Sequence, residues 1–154
     1  MATRSQIAHH KATHTALEAT ADMLSVGKVT AMAAVEWTMN TDGLHLVFSS
    51  ADLDIVDAAQ DTYGPHESAE QFFAEVARIC TAAGVGKLLT DGRETSGAVV
   101  AGLSLMQLEI GPKIGPGVRA LRANDRLVLA LKSGNSGAVD YFEKAAGILM
   151  TSSK

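Results

Sequence analysis

Residues 88–99 read LLTDGRETSGAV: an apolar run stops at Asp91, a glycine-bearing polar turn follows, and a second apolar run begins. The segment 86–90, GKLLT, predicts a buried strand, and the segment 97–105 predicts a helix. A strand that leads through a turn into a helix is the repeating unit of α/β folds.

The same alternation runs through the whole chain. Nearly continuous apolar strands are buried on both faces, which is typical of parallel sheets. The predicted strands are 44–50, 86–90, 106–110 and 126–132, and the predicted helices are 5–24, 29–40, 53–61, 66–85, 97–105 and 138–150. The stretch 111–125 has two prolines and three glycines in its first seven residues, so it predicts an irregular loop.

These elements predict one α/β domain over residues 1–154, with three layers and a mostly parallel sheet flanked by helices. The link between the third and fourth predicted strands lacks a crossover helix, which a parallel connection requires. The predicted sheet can therefore include one antiparallel strand.

Composition restricts the partners of the chain. Its 154 residues carry a formal net charge of −4 and show no face dense in Lys and Arg, so we expect no nucleic-acid partner. No apolar stretch approaches the roughly 18 residues that span a bilayer, so we expect no membrane partner. Cys80 is the only cysteine and lies in a helical pattern, where it predicts a small buried hydrophobe. A chain without intrachain disulfides suits a reducing compartment, and we expect a cytoplasmic protein.

The tetrapeptide SGAV occurs twice, at 96–99 and at 136–139, each time after a predicted strand and at the start of a predicted helix. Carboxyl ends of parallel strands share one edge of a sheet, where α/β proteins bind ligands. Unpaired amides of a first helical turn attract anions, and glycine lets a phosphate approach the backbone. The candidate phosphate contacts are Gly92, Thr95, Ser96 and Gly97 in one turn, and Ser133, Gly134, Asn135 and Gly137 in the other.

The same residues also have an interpretation without a ligand. Strand-to-helix turns use glycine for positive φ, and Ser, Thr or Asn for helix capping. Neither turn is a Walker A or a GxGxxG motif. On the residues alone, both interpretations stay open.

Three ordered segments carry a resemblance to a known family: LLTDGRETSGAVVAGL at 88–103, IGPKIGPGV at 110–118 and LVLALKSGNSGAVDYFEKA at 127–145. They resemble the C-terminal nucleotide-binding domain of the four-carbon acid sugar kinases (tetronate kinases). That family shows a GGETSGAV-like turn, an IGP-IDPGVP-like segment and an LALKSGNFG-like turn in the same order. Three further segments are similar to the same domain: LVFSSAD at 46–52, the YGPHESAEQFF region and ATRSQIAHH near the start.

This resemblance implies a domain that binds ATP with Mg²⁺ and serves a kinase of four-carbon sugar acids such as threonate, erythronate or an oxo-tetronate. It also implies an N-terminal domain that holds the acid and has no counterpart in this chain. We therefore expect the nucleotide and an N-terminal domain or partner chain as partners, and no phosphorylation by this chain alone. The alternative is a non-catalytic α/β module for assembly or sensing that has lost nucleotide binding and associates into homo-oligomers.

The resemblance assigns nucleotide contacts position by position but names no catalytic residue. The GGET positions are occupied by Gly92, Arg93, Glu94 and Thr95, and Ser96 and Gly97 follow them. The KSGN positions are occupied by Lys132, Ser133, Gly134 and Asn135, and Gly137 follows after one further residue. Three residues depart from the pattern: Arg93 replaces a glycine, Ser136 replaces a Phe and Arg119 replaces a Pro. Arg93 either pairs with a phosphate or, if its backbone requires positive φ, fills the space of the nucleotide.

Charged residues near these turns have competing roles. By the resemblance, Lys132 holds phosphate oxygens bridged by Mg²⁺, and Glu94 or Asp91 reaches the metal directly or through water. Alternatively, Glu94 is a first-turn carboxylate that stabilises the helix dipole, and Lys132 is a solvated side chain at a strand end.

His9, His10 and His14 form an HHxxxH pattern, in which His10 and His14 share one face of a predicted helix. This i, i+4 spacing can bind zinc. No Glu stands in the HExxH position, no third ligand is identifiable from the sequence, and Lys11 adds a positive charge nearby. We therefore expect a polar surface face and assign no residue as a metal ligand.

Overall fold

A computed structural model describes residues 2–49, 65–134 and 136–152, with the backbone alone at 65–68. The described helices are α1 (Ala2–Lys11), α2 (Ala21–Ser25), α3 (Ala31–Met39), α4 (Pro65–Ala82), α5 (Arg93–Gly102) and α6 (Tyr141–Thr151). The described strands are β1 (Ala16–Glu18), β2 (Leu46–Phe48), β3 (Lys87–Asp91), β4 (Glu109–Gly115), β5 (Val118–Asn124) and β6 (Leu127–Lys132). The helix predicted over 53–61 and the predicted contact Asn135 lie outside the described residues.

Four strands form the central sheet in the order β3-β6-β5-β4. β3 and β6 are parallel, with Asp91 opposite Lys132, whereas β5 is antiparallel to both β6 and β4. Three strands therefore point one way and β5 points the other way, which confirms an α/β sheet with one antiparallel strand. The carboxyl ends of β3, β6 and β4 consequently lie on the same rim.

Helices cover both faces of the central sheet, as the three-layer prediction requires. Ala130 of β6 packs in a cluster with Leu149 of α6, whereas Leu129 packs in a cluster with Val99 of α5. Successive residues of β6 face opposite layers because side chains alternate along a strand. Lys132, two residues after Ala130, therefore lies on the α6 face.

A second, two-stranded parallel sheet joins β1 to β2. It packs with α3 and α4 around a separate cluster that includes Ala19, Ala34 and Phe72. Because Ala77 of α4 belongs to the core beneath the central sheet, α4 links the two sheets.

Five predicted elements are confirmed within a few residues. The helices predicted over 29–40 and 66–85 are α3 and α4, and the strands predicted over 44–50, 86–90 and 126–132 are β2, β3 and β6. The single helix predicted over 5–24 is wrong. The chain leaves α1 at Lys11, forms β1, and resumes as α2, whose first turn is capped by the Thr20 hydroxyl accepting from the Met23 amide at 3.3 Å. Tertiary pairing overrides the helical composition here, because β1 pairs with β2 and Leu17 packs in the second core.

The irregular loop predicted over 111–125 is also wrong, since these residues form most of the β4–β5 hairpin. The strand predicted over 106–110 starts at Glu109 and continues into this region. β4 is the edge strand of the described sheet and mostly exposed, so the missing N–H of Pro112 costs no central ladder bond. Gly117, with φ of 71°, makes the tight turn that the hairpin requires.

The helices α5 and α6, which follow the two predicted turns, do not start at the predicted residues 97 and 138. α5 starts at Arg93, four residues before Gly97, so the first SGAV lies inside a helix. α6 starts at Tyr141, so the second SGAV, at 136–139, lies in the connection before the helix. The two copies therefore differ in backbone environment, and Gly97 belongs to a helix rather than to a turn.

α4 is the longest described helix and buries one face. Phe72 and Cys80 on this face are 7% and 5% exposed. Burial raises the pKa of the Cys80 thiol, which confirms the prediction of a small buried hydrophobe. Neither α4 nor any other helix in the described ranges is long and apolar enough to cross a bilayer.

Gly102 sets the close contact between α5 and α4. A Cβ at Gly102 would lie 2.8 Å from Cβ of Ala74 and 3.0 Å from its carbonyl oxygen. We predict that Gly102→Ala lowers the free energy of unfolding by about 1–3 kcal/mol, because the α4 backbone must move. Gly147→Ala is the matched control, since a Cβ there meets no atom within 4 Å and should stabilise α6 by up to about 1 kcal/mol. Urea denaturation measures both, and equal effects would contradict the packing role of Gly102.

Candidate functional site

Two bends meet on the rim formed by the carboxyl ends of β3 and β6. We name the residues 91–92, which lead into α5, the β3 bend, and the residues 133–140, which lead into α6, the β6 bend. A Cβ on Gly134 would lie 3.5 Å from Cα of Gly92, so the backbones of the two bends are in contact. The amide of Gly92 also donates to the carbonyl of Lys132 at 3.0 Å. The prediction that both glycine-bearing segments share one rim is confirmed.

Gly92 makes the sharp turn from β3 into α5. Its φ of 112° and ψ of 133° place it in a region that glycine adopts without steric cost. The Ser96 amide donates to the Gly92 carbonyl at 2.9 Å, which closes the first helical turn. In this geometry the amides of residues 93–95 have no acceptor within the helix, and the positive end of the helix dipole faces the rim. The start of α5, directly after the β3 bend, therefore offers three backbone donors to an anion.

The Ser96 hydroxyl holds the two bends together. It donates to the carbonyl of Lys132 at 3.1 Å and lies 2.6 Å from the Thr90 hydroxyl. The carbonyl of Thr90 in turn accepts from the Tyr141 hydroxyl at 3.4 Å, which ties β3 to α6. The Ser96 hydroxyl therefore links α5 to β3 and β6, and its predicted phosphate contact stays a prediction.

Lys132 is buried beneath the rim, with 1% of its side chain exposed. Its ammonium lies 2.6 Å from Oδ1 of Asp91, whose side chain is 5% exposed. The same ammonium donates to Oε1 of Gln6 at 3.3 Å and lies 5.2 Å from the ring centroid of Tyr141. Burial, and to a lesser extent the negative charge of Asp91, raises the pKa of Tyr141, so the phenol stays neutral. The burial of Lys132 shows that the alternative of a solvated side chain is wrong, whereas its predicted phosphate contact stays a prediction.

Gln6 of α1 is fully buried and fixes the β6 bend. Its amide nitrogen donates to the carbonyls of Ser136 at 3.0 Å and Ala138 at 2.8 Å, and its oxygen accepts from Lys132. Gly137 lies between these two carbonyls in sequence and has φ of 89°, a conformation that glycine adopts without steric cost. No local pattern indicated Gln6, and its only signal was its position within the family-like segment ATRSQIAHH.

Arg93 lacks the positive φ on which its predicted obstruction of a nucleotide depends. It is exposed, it starts α5, and it is not among the described residues with positive φ, which Gly92 adopts instead. The backbone condition under which Arg93 would exclude a nucleotide is therefore absent at this position. Arg119 is also exposed and donates to the Gly111 carbonyl at 3.3 Å within the β4–β5 hairpin.

The other predicted contacts lie around the same rim. Gly134 is partly buried with φ of 85°, and Gly137 is exposed with φ of 89°. Glu94, Gly97 and Ser133 are exposed, and Thr95 is partly buried. Exposed residues at the start of α5 and in the β6 bend thus border the rim.

Two open spaces border α5 next to the rim. A cavity of about 700 Å³ is lined in part by Asp91, Glu94 and Thr95. A shallower groove of about 530 Å³ is lined in part by Gly97 and Met106 and is mainly apolar. The first turns of α5 therefore separate two surfaces that are large enough to contact a small molecule.

Two glycine-bearing bends that meet at the carboxyl edge of an α/β sheet, one of them directly before a helix N-terminus, are typical of phosphate-binding domains. The comparison with family models agrees with this class. The chain belongs to the family described as nucleotide-binding C-terminal domain, whose model matches residues 1–142.

Individual relatives point to one group of enzymes. The chain is 46% identical to a 3-oxo-tetronate kinase of Burkholderia multivorans over 105 residues, which cover 65% of this chain and 24% of that protein. It is 31% identical to a 3-oxo-tetronate kinase of Brucella melitensis over 153 residues, which cover 95% of this chain and 35% of that protein. The chain thus spans about a quarter to a third of the length of these curated relatives.

A solved structure supports the fold. The chain is similar to the crystal structure of a Haemophilus influenzae protein, with a TM-score of 0.85 and 27% identity. The match covers 96% of this chain and 38% of that chain.

The buried pair of Lys132 and Asp91 generates a prediction about stability. Lys132→Met keeps the length of the side chain but leaves the Asp91 carboxylate buried without its counter-charge. We predict a loss of about 3–5 kcal/mol in the free energy of unfolding, the usual cost of breaking a buried ion pair. Arg78→Met removes the exposed ion pair with Glu75 and serves as the control, with a much smaller expected loss. Chemical denaturation compares the variants, and similar losses for both would refute the central role of the buried pair.

Proposed function

We propose that this chain binds the polyphosphate of ATP on the rim where the β3 bend and the β6 bend meet. The observation that carries this proposal is the direct contact of the two backbones, 3.5 Å from Cα of Gly92 to a Cβ built on Gly134. Because no side chain separates the bends, amides from both can approach one ligand. The α5 dipole adds a favourable field for negative charge.

The chain's own residues divide into ligand contacts and supports. The amides of residues 93–95, the exposed Ser133 and the glycines of the β6 bend contact phosphate oxygens. The distance between the two bends is fixed by side chains beneath the rim, those of Lys132, Asp91 and Ser96. Arg93 lies at the start of α5 with an exposed guanidinium, where it pairs with a phosphate rather than blocking it.

The residues at the rim fit a Mg²⁺ ion that accompanies the nucleotide. Oδ2 of Asp91 is buried and has no hydrogen-bond partner within the described residues, although Oδ1 accepts from Lys132. Glu94, in the first turn of α5, offers an exposed carboxylate nearby. Such oxygen ligands suit Mg²⁺. When bound, the ion would neutralise negative charge on the phosphates.

The groove beside α5 is our proposed site for the base of the nucleotide. Its lining is mainly apolar. A Cβ built on Gly97 would meet no atom within 4 Å, so the flat ring of a base has space to approach the backbone there. A base in this groove would place its phosphates next to the amides at the start of the same helix. A turn with a purely structural role would make no use of this groove.

In the complete enzyme, we propose that this domain supplies the phosphoryl donor to a four-carbon sugar acid. The support is the similarity to proteins named 3-oxo-tetronate kinases, of which this chain spans 24% to 35%. The acid site then belongs to an N-terminal domain or a partner chain. This chain alone should bind nucleotide but transfer no phosphate to a sugar acid.

Isothermal titration calorimetry with AMP, ADP and ATP in the presence of Mg²⁺ tests the proposed function. A polyphosphate site predicts that affinity rises by about tenfold or more from AMP to ADP, because added phosphate oxygens accept charge-assisted hydrogen bonds. Equal affinities for the three nucleotides, or no binding by a protein shown to be folded, would refute the proposal.

Gly97→Val probes the groove without disturbing the core, because a Cβ at Gly97 meets no protein atom within 4 Å. We predict that the added methyl groups obstruct the base and weaken Mg·ADP binding by about tenfold, a loss that matches one buried contact. Gly147→Val is the control, since Gly147 is an equally open helical glycine on α6. Calorimetry that gives unchanged affinity for Gly97→Val would remove the groove from the site.

Arg93→Ala distinguishes a phosphate contact from an obstruction. If Arg93 pairs with a phosphate, its loss should weaken Mg·ADP binding by about tenfold or more, as expected for a hydrogen bond between charged groups. Arg126→Ala is the control, because exposed Arg126 precedes β6 and therefore lies at the opposite rim. Tighter binding by Arg93→Ala would show that the guanidinium obstructs the nucleotide instead.

A further inference from the structure

A cluster of two histidines and one glutamate joins the end of α1 to the start of α6. His10 lies in the last turn of α1, His14 lies in the turn that follows, and Glu143 lies in the first turn of α6. Nδ1 of His10 is 3.0 Å from Oε1 of Glu143, and Nδ1 of His14 is 3.8 Å from the same oxygen. One potential ligand atom from each residue lies within 4.8 Å of the others.

Burial distinguishes this cluster from the polar surface face that the sequence predicted. His10 is 1% exposed, so the expectation of a surface position is wrong for this residue. The side chains of His14 and Glu143 are 31% and 26% exposed, which leaves the cluster open to water on one side. Nε2 of His10 and Oε2 of Glu143 are buried without a hydrogen-bond partner in the described part of the chain.

We propose that His10, His14 and Glu143 form a binding site for Zn²⁺ or a related divalent transition-metal ion. Zinc–nitrogen and zinc–oxygen bonds of about 2.0–2.2 Å in tetrahedral geometry place neighbouring ligand atoms about 3.3 Å apart. The observed distances of 3.0 and 3.8 Å to Oε1 of Glu143 bracket this spacing. A rotation of the partly exposed His14 side chain brings the third pair of atoms into range, and water completes the coordination.

The donor set selects the kind of ion. Two imidazole nitrogens and one carboxylate suit zinc and similar transition metals, whereas Mg²⁺ prefers oxygen ligands. The rings of His10 and His14 stack with centroids 4.8 Å apart at an interplanar angle of 17°, and the rotation of His14 toward a shared ion would separate the rings and replace the 2.8 Å contact of its Nδ1 with Oγ1 of Thr13. The ammonium of Lys11 lies 5.4 Å from the ring centroid of Phe48, so it has a partner of its own.

The proposed metal site depends on no part of the proposed function. His10 lines the same cavity as Asp91 and Glu94, but neither of these carboxylates belongs to the cluster. α1 also carries Gln6, one turn before His10, and Gln6 fixes the β6 bend. An ion bound between α1 and α6 would therefore join the same two elements that hold this bend.

Calorimetric titration of the chain without an affinity tag, using ZnCl₂, tests the proposal. We expect one zinc ion per chain, an increase in melting temperature on binding, and no competition from excess Mg²⁺. His14→Asn and Glu143→Gln should each weaken zinc binding by more than about tenfold, since even residues that only support metal ligands have effects of that size. Partly exposed His14 can be replaced without opening the core, and the melting temperature of the metal-free variant verifies that it is folded.

His9→Asn is the matched control, because His9 is an exposed neighbour outside the cluster. It should bind zinc as the unaltered chain does. Visible absorption of the Co²⁺ form gives a second readout, which should disappear in His14→Asn and persist in His9→Asn. Absence of zinc binding by the unaltered chain, or an equal loss in His9→Asn and His14→Asn, would overturn the proposal.

Discussion

The ion pair between Lys132 and Asp91 is the interaction on which the rest of the site depends. It joins the last residues of two parallel strands, both buried on the α6 face of the sheet. Two charges taken out of water are stable only with good geometry and further hydrogen bonds, and Gln6 and the Tyr141 ring supply part of that environment. The pair holds the two strand ends, and therefore the two bends, at one fixed spacing.

Support for the rim comes from both layers of helices. On the α5 face, Ser96 reaches the carbonyl of Lys132, and on the α6 face, Gln6 reaches the carbonyls of the β6 bend. Side chains thus donate to the carbonyls of Lys132, Ser136 and Ala138, whereas the first amides of α5 have no acceptor within the helix. This division leaves a surface of backbone donors supported by buried polar groups, which favours an anionic ligand over a neutral one.

The sequence predicted the features that depend on local patterns. Buried apolar strands, the amphipathic α4 and the shared rim of the two bends all follow from residues close together in the chain. It did not predict β1, because pairing with β2 overrides the helical composition of this segment. It did not predict β5, because the prolines and glycines of the hairpin suggest a loop. Gln6 and Glu143 were missed because their partners are distant in the sequence: Gln6 lies 126 positions from Lys132, and Glu143 lies 133 positions from His10.

Backbone amide shifts measured by NMR during titration with Mg·ADP test the central claim most directly. If the two bends form a phosphate site, the largest shifts occur at residues 93–95 and at Gly134 and Gly137. Amides at the opposite rim, such as those of Gly84 and Arg126, should change little. Shifts confined to the opposite rim, or to one bend without the other, would contradict the account.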